Sequence, residues 1–304
     1  MTATLERPQR TVEKPALRHR LAERGVDRVL LLLVPGVLFV AVLFVYPVFY
    51  GLQLSFQPKD GGGPLANYRK FFSDSYLFDT IWLTLRLALP AALINVLASI
   101  PIAYRMRGRF RGKRLLTTIL VVPITLGTVL TAEGLIEYLG PVGWFNKVLL
   151  WLHLTDTPLR LVNNYWGVLF SLIITGFPFA FLLTLSYLSG IDPSLEQAAA
   201  TLGADWRHRF TRITLPLLAP GLAITFCLTF VLAFSVFPSA YLVGLPQGAT
   251  RVISIAAYES AFRDFDFPLG SAIAMIMAVV MLVVIGLVLA WRSTLYRGAT
   301  GGKG

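Results

Sequence analysis

Six long apolar runs dominate this chain, at residues 29–50, 78–104, 115–139, 166–188, 217–237 and 269–291. A helix that crosses a bilayer needs about 20 apolar residues. Strands of a membrane barrel would be about 10 residues long with alternating polarity. These runs are too long and too evenly apolar for strands. Composition agrees: 56% of the 304 residues are hydrophobic and only 14% are charged. A soluble domain carries about a quarter charged residues. The expected fold is therefore all-α, a polytopic membrane protein with six transmembrane helices.

The net charge of +11 is unevenly spread. With the N-terminus inside, the inner segments are 1–28, 105–114, 189–216 and 292–304. They hold 19 of the 27 Lys and Arg residues, against seven in the outer segments, and Arg86 lies within a span. The positive-inside rule places both termini in the cytoplasm. The basic excess thus reports topology and contact with anionic lipid, not nucleic-acid binding. Three parts are expected: a basic cytoplasmic tail at 1–28, a six-helix domain at 29–291, and a short cytoplasmic tail at 292–304. The tail at 1–28 lacks the apolar core and cleavage site of a signal peptide.

Several enzyme signatures are absent from the sequence. His19, His153 and His208 are scattered, and Cys227 is the only cysteine. No close His/Cys cluster has metal-ligand spacing. Gly112-Lys113-Arg114 lacks the spacing and the hydroxyl of a phosphate loop. Uphill transport would then draw energy from a partner or from an ion gradient.

Between the fourth and fifth runs lies a polar, basic island at 190–221. It reads as a helix outside the membrane. Asp192 suits the N-cap, Pro193 the first helical position, and Glu196 the favourable field of the N-terminus. Ala198, Ala199 and Ala200 follow, Gly203 interrupts, and Pro216 and Pro220 mark entry to the next run.

Gln197-Ala198-Ala199, three residues, Gly203, nine residues, then Ile213-Thr214-Leu215-Pro216 resembles the "EAA" signature of permease subunits of bacterial ABC importers. One departure stands out: Gln197 occupies the place of the family's glutamate. Glu196 is one position away, about 100° around the axis. Which of the two faces a partner is open at this stage.

The resemblance implies a non-catalytic subunit of an inner membrane, with six spans and a cytoplasmic coupling helix. In that family the helix docks on an ATP-binding subunit. The candidate coupling residues are Glu196, Gln197, Ala198, Ala199, Gly203, Ala204, Asp205, Trp206 and Arg207. Small residues would permit close approach, and Trp206 and Arg207 are types enriched at interface hot spots. The implied partners are a pair of ATP-binding subunits, a second permease chain, a periplasmic or lipid-anchored binding protein, and lipid. No cofactor is expected on this chain; ATP and Mg would bind the ATPase.

Leu202-Gly203 resembles the polyamine, iron, phosphonate, sulfate and molybdate branch more than the sugar branch. Residues 144–160 and 265–270 are similar to outer segments of spermidine/putrescine permeases. A small charged solute such as a polyamine is therefore expected. The alternatives are another solute (sugar, iron, phosphonate) or, in a different class, an ion-gradient transporter. Glu133 and Glu137, at i and i+4 in the third run, share a helix face. With Arg86 they are the candidate pathway residues, because carboxylates in spans usually face a bundle interior or a wet cavity. By depth, Arg86 and Glu133 match, at about 12 and 9 Å from the outer end. An Arg86–Glu133 pair, with Glu137 simply solvated, is the competing expectation.

Overall fold

The computed structural model describes residues 32–108 and 112–296. The basic N-terminal tail, residues 109–111 of the basic cluster and the last eight residues lie outside these. Each expected span is a helix long and apolar enough to cross a membrane. These are α1 (Val34–Ser55), α3 (Ser75–Arg107), α4 (Lys113–Leu139), α6 (Tyr165–Ser189), α8 (Trp206–Phe234) and α11 (Phe267–Tyr296). Between them lie α2 (Ala66–Ser73), α5 (Trp144–Trp151), α7 (Pro193–Thr201), α9 (Pro238–Leu242) and α10 (Ile253–Tyr258). Among the described residues there is no strand.

The fifth span begins earlier than the apolar run at 217 would indicate. Trp206–Arg209 is a helical turn, and Phe210–Thr214 widens into a π turn before Leu215–Phe234. The basic island thus runs into the span without a break.

The chain divides into two units, residues 1–53 and 54–304. In the first, α1 carries apolar side chains exposed all around, from Val34 to Tyr50. An all-round apolar helix is a lipid or partner surface rather than a half-buried one. In the second, α3, α6 and α8 pack together, α4 packs on α6, and α11 packs on α10 and α8.

Burial alone drives little helix association in lipid, so close backbone approach and polar contacts matter more. The sequence supplies both. Ala88, Ala92, Asn95, Ser99 and Ala103 follow one another at helical spacing on α3, and all are fully buried. Ser99 Oγ meets Thr184 Oγ1 of α6 at 2.7 Å. On α8, a Cβ at Gly221 would stand 2.5 Å from the Tyr187 ring. Only glycine permits that approach.

The bundle has two buried apolar clusters. The larger gathers Phe71, Leu87, Phe230, Phe234 and Ile253. The smaller, Ala103, Met106, Phe181, Leu188, Ile191 and Leu218, lies at the end where α6 gives way to the island. Pro90, Pro101, Pro178 and Pro220 sit within otherwise helical stretches. In α4 the break falls at Gly127, whose φ of 73° leaves the helical region four residues after Pro123.

Candidate functional site

The island folds as a capped helix on a short stalk. Asp192 Oδ1 accepts from the Ser194 amide at 2.9 Å and starts α7. That amide holds the Asp192 carboxyl below the ordinary carboxylate range. At the far end, Gly203 N donates to Ala200 O and Ala204 N donates to Ala199 O, both at 3.0 Å. This pair of bonds is a Schellman closure, which needs a left-handed residue at the stop. Gly203 supplies it with φ +84°. The next turn is capped by Asp205, whose Oδ1 accepts from the His208 amide at 2.8 Å and contacts His208 Nδ1 at 2.6 Å. The amide bond is the main reason that the Asp205 carboxyl also lies below its ordinary range.

Glu196 and Gln197 point in different directions. The Glu196 carboxylate turns into the protein. Oε1 accepts from Arg107 Nη1 at 2.8 Å and from Thr214 Oγ1 at 2.6 Å, and Oε2 accepts from the Tyr104 hydroxyl at 3.2 Å. Arg107 Nη2 also donates to the Ile191 carbonyl. The side chains of Arg107 and Glu196 are only 13% and 17% exposed. One carboxylate therefore ties α7 to the end of α3 and to the start of α8. Tyr104 adds an edge-on contact to Phe210, ring centres 5.0 Å apart. Gln197, by contrast, is exposed.

The outward surface of α7 carries Leu195, Gln197, Ala198 and Ala200, and ends at Leu202, which is 89% exposed. Trp206 is exposed beside it, with the Arg207 guanidinium 5.5 Å from its ring centre. Ala199 and Ala204, joined by the longer-range bond of the Schellman closure, are half-buried. A bare leucine at a helix end and an exposed tryptophan, with no bulky side chain between them in the chain, leave apolar surface uncovered here.

The pathway candidates are not drawn together. Glu133 and Glu137 are exposed on α4, while the neighbouring Ala132, Leu135 and Leu139 are buried. The packed face of α4 is therefore the one away from the glutamates, and the main neighbours of α4 among the spans and outer helices are α6 and α9, not α3. Matched depth does not fix the azimuth of a helix. Among the described ion pairs, none joins Arg86 to Glu133. Arg86 lines a separate recess of about 410 Å³ with Asp79, Trp82 and Arg251. Sequence reading missed the role of Arg251. It is buried against Glu259 at 2.9 Å and lies 3.9 Å from the Tyr76 ring centre. Among the described residues no group of His, Cys, Asp and Glu could hold a metal.

A bundle of membrane-spanning helices joined by capped loop helices defines a multi-span membrane protein. The chain belongs to the family of binding-protein-dependent transport system inner membrane components, which it matches over residues 93–296. It is an ABC importer permease, a multi-pass membrane protein and a non-catalytic component of its transporter. It is 28% identical over 262 residues to the spermidine/putrescine transport system permease protein PotB of Escherichia coli (strain K12), covering 83% of this chain and 93% of that protein. It is 26% identical to the trehalose transport system permease protein SugA of Mycobacterium tuberculosis (strain CDC 1551 / Oshkosh), over 84% of this chain and 85% of that one. The fold matches a chain of a bacterial alginate ABC transporter in complex with an alginate pentasaccharide-bound periplasmic protein. The TM-score is 0.75 at 23% identity, covering 90% of this chain and 95% of that chain.

Proposed function

We propose that this permease forms half of a solute pathway and takes its energy from an ATPase docked on α7. The observation that carries the reading is the division of labour within the island. Glu196 anchors α7 to α3 and α8, while Leu195, Gln197, Ala198 and Leu202 stay free for a partner. A helix held at its base and bare on its outer face can pass a push into two spans at once. Gln197, at the position where the family carries glutamate, would meet the ATPase as a neutral hydrogen-bonding group.

The remaining parts of the reading follow from charge and family. The excess of Lys and Arg near α7 and the N-terminal tail supports a cytoplasmic face there, with both termini inside. ATP and Mg would bind a pair of ATPase subunits. A second permease chain would complete the pathway, and a binding protein would deliver solute on the opposite side.

Two solute readings stand. A polyamine draws on the likeness to PotB and on the exposed carboxylates Glu133 and Glu137. A sugar draws on the likeness to SugA. Spermidine uptake in Glu133→Gln and Glu137→Gln variants tests the first. Unchanged uptake in both would remove these residues from the pathway.

Gly203→Asp tests the docking. A Cβ at Gly203 meets no atom of this chain within 4 Å. The variant therefore keeps its packing and loses about 1–2 kcal/mol locally through the left-handed backbone. The expected result is normal membrane insertion with loss of ATPase assembly and uptake. Normal assembly and uptake would refute the docking.

A further inference from the structure

A half-open cavity of about 480 Å³ lies between α3, α4, α6, α8 and α9. Small-molecule sites commonly run from roughly 300 to 1,000 Å³. It is removed from the coupling loop, and none of its lining residues is Asp, Glu, Lys or Arg.

Two buried polar atoms in this lining lack a hydrogen-bond partner. They are Asn95 Oδ1 and Ser239 Oγ, on residues that are both 0% exposed. An unpaired buried polar atom costs roughly 1–3 kcal/mol, so each calls for an explanation. The Asn95 amide is held in a defined orientation. Its Nδ2 donates to the Leu172 carbonyl at 3.3 Å, which leaves Oδ1 unpaired. Gly176 makes room for the amide, since a Cβ there would stand 2.6 Å from Nδ2.

The hydroxyls around it are arranged the same way. Thr175 Oγ1 donates to Ser171 O, and Thr229 Oγ1 donates to Thr225 O. Each spends its proton on its own helix and keeps lone pairs for an incoming donor. Phe179 and Phe237 supply apolar faces to the same space.

We propose that this cavity is a solute site for a neutral, hydroxyl-rich molecule of sugar or polyol type. The proposal rests on the importer reading and concerns its substrate class. Hydroxyl groups would meet the threonine oxygens, and Asn95 Oδ1 and Ser239 Oγ after a small side-chain shift, while the C–H faces of the solute lie against the phenylalanines. A polycation fits less well. An unpaired charge within a span costs several kcal/mol, and the lining offers no carboxylate to offset it. The cavity therefore favours the sugar reading over the polyamine reading.

The test uses the importer complex in nanodiscs without its binding protein. It is titrated by equilibrium dialysis with neutral solutes (trehalose, maltose, glucose and sorbitol) and with spermidine. At least one neutral solute should bind saturably. Ser239→Ala should weaken that binding roughly twofold to tenfold, the range for one hydrogen bond. The same variant should keep or raise the unfolding temperature, because it deletes an unpaired buried hydroxyl. Asn95→Leu, as a second variant, should weaken the same binding. Absence of saturable binding by every neutral solute would overturn the proposal and leave the cavity to water. So would neutral binding indifferent to both variants, or saturable spermidine binding weakened by Ser239→Ala. ATP turnover in the same preparation separates the two readings. Normal turnover without neutral binding removes the cavity proposal alone, whereas a chain that never assembles with an ATPase removes the docking reading.

Discussion

Replacing Arg107 by leucine should detach the base of α7, and the structure sets the size of the effect. The guanidinium donates to Glu196 Oε1 at 2.8 Å and to the Ile191 carbonyl. Removing one partner of a fully buried ion pair costs about 3–5 kcal/mol, because the other charge is left uncompensated. Here the carboxylate keeps 17% of its exposure and still accepts from Thr214 and Tyr104. About half of that cost, near 2 kcal/mol, is the expected loss. At about 2.1 cal/mol/K of unfolding entropy per residue, for a chain of this size it corresponds to a fall of about 3 °C in unfolding temperature. Glu196→Gln should cost less, about 1 kcal/mol, since the amide oxygen still accepts from Arg107 and Thr214. The double variant should therefore show a coupling of at least about 1 kcal/mol, as residues in one network do. Thermal unfolding in nanodiscs, followed by tryptophan fluorescence, measures the cycle. Hydrogen exchange of residues 193–201 should rise in Arg107→Leu. A coupling under about 0.5 kcal/mol, within the additivity error for independent sites, would refute the anchoring role. So would a larger cost for Gln197→Ala than for Glu196→Gln.

Three further outcomes are expected. The Asp192 and Asp205 carboxyls lie below their ordinary range in the folded chain. Their caps contribute fully above the unfolded value of about 3.9 and are lost as pH falls through the lower folded values. The protection of α7 against hydrogen exchange, taken relative to the intrinsic exchange rate at each pH, should thus be steady from neutral pH downward and fall only below about pH 4, and Asp192→Ala should abolish that step. Gly221→Val should destabilise the bundle by about 1–3 kcal/mol through the clash with Tyr187, and partial relief by Tyr187→Ala would confirm the contact. Glu133→Gln and Glu137→Gln should each alter unfolding stability by under about 0.5 kcal/mol, as exposed side chains outside any ion pair among the described residues do.

Much of the fold was legible in the chain. Six apolar runs became six helices, because in lipid every backbone polar group must be satisfied within the segment. The caps of α7 were legible for a similar reason. Asp192, Pro193 and Gly203 act on groups a few residues away, so spacing alone carries the information. The start of α8 was less legible. The apolar run opens at 217, yet the helix starts at Trp206, since a helix can continue past the lipid edge on polar residues. The Arg86–Glu133 pairing failed for a different reason. Rise per residue gives depth, but the rotation of α3 and α4 about their axes depends on which neighbour each one packs against.

Composition and spacing alone determined the membrane class, the number of spans, the helical island and the family, since all of these rest on hydropathy and local backbone chemistry. Tertiary structure alone decided that Glu196 turns inward and Gln197 outward, because Arg107 and Thr214 are far away in sequence and converge on one side of α7 only after folding. It also decided that Asn95, Gly176, Thr229 and Ser239 share one cavity. Those residues sit on four helices, and no local pattern links them. Only the packing of small residues along α3, α6 and α8 gathers them around the same space.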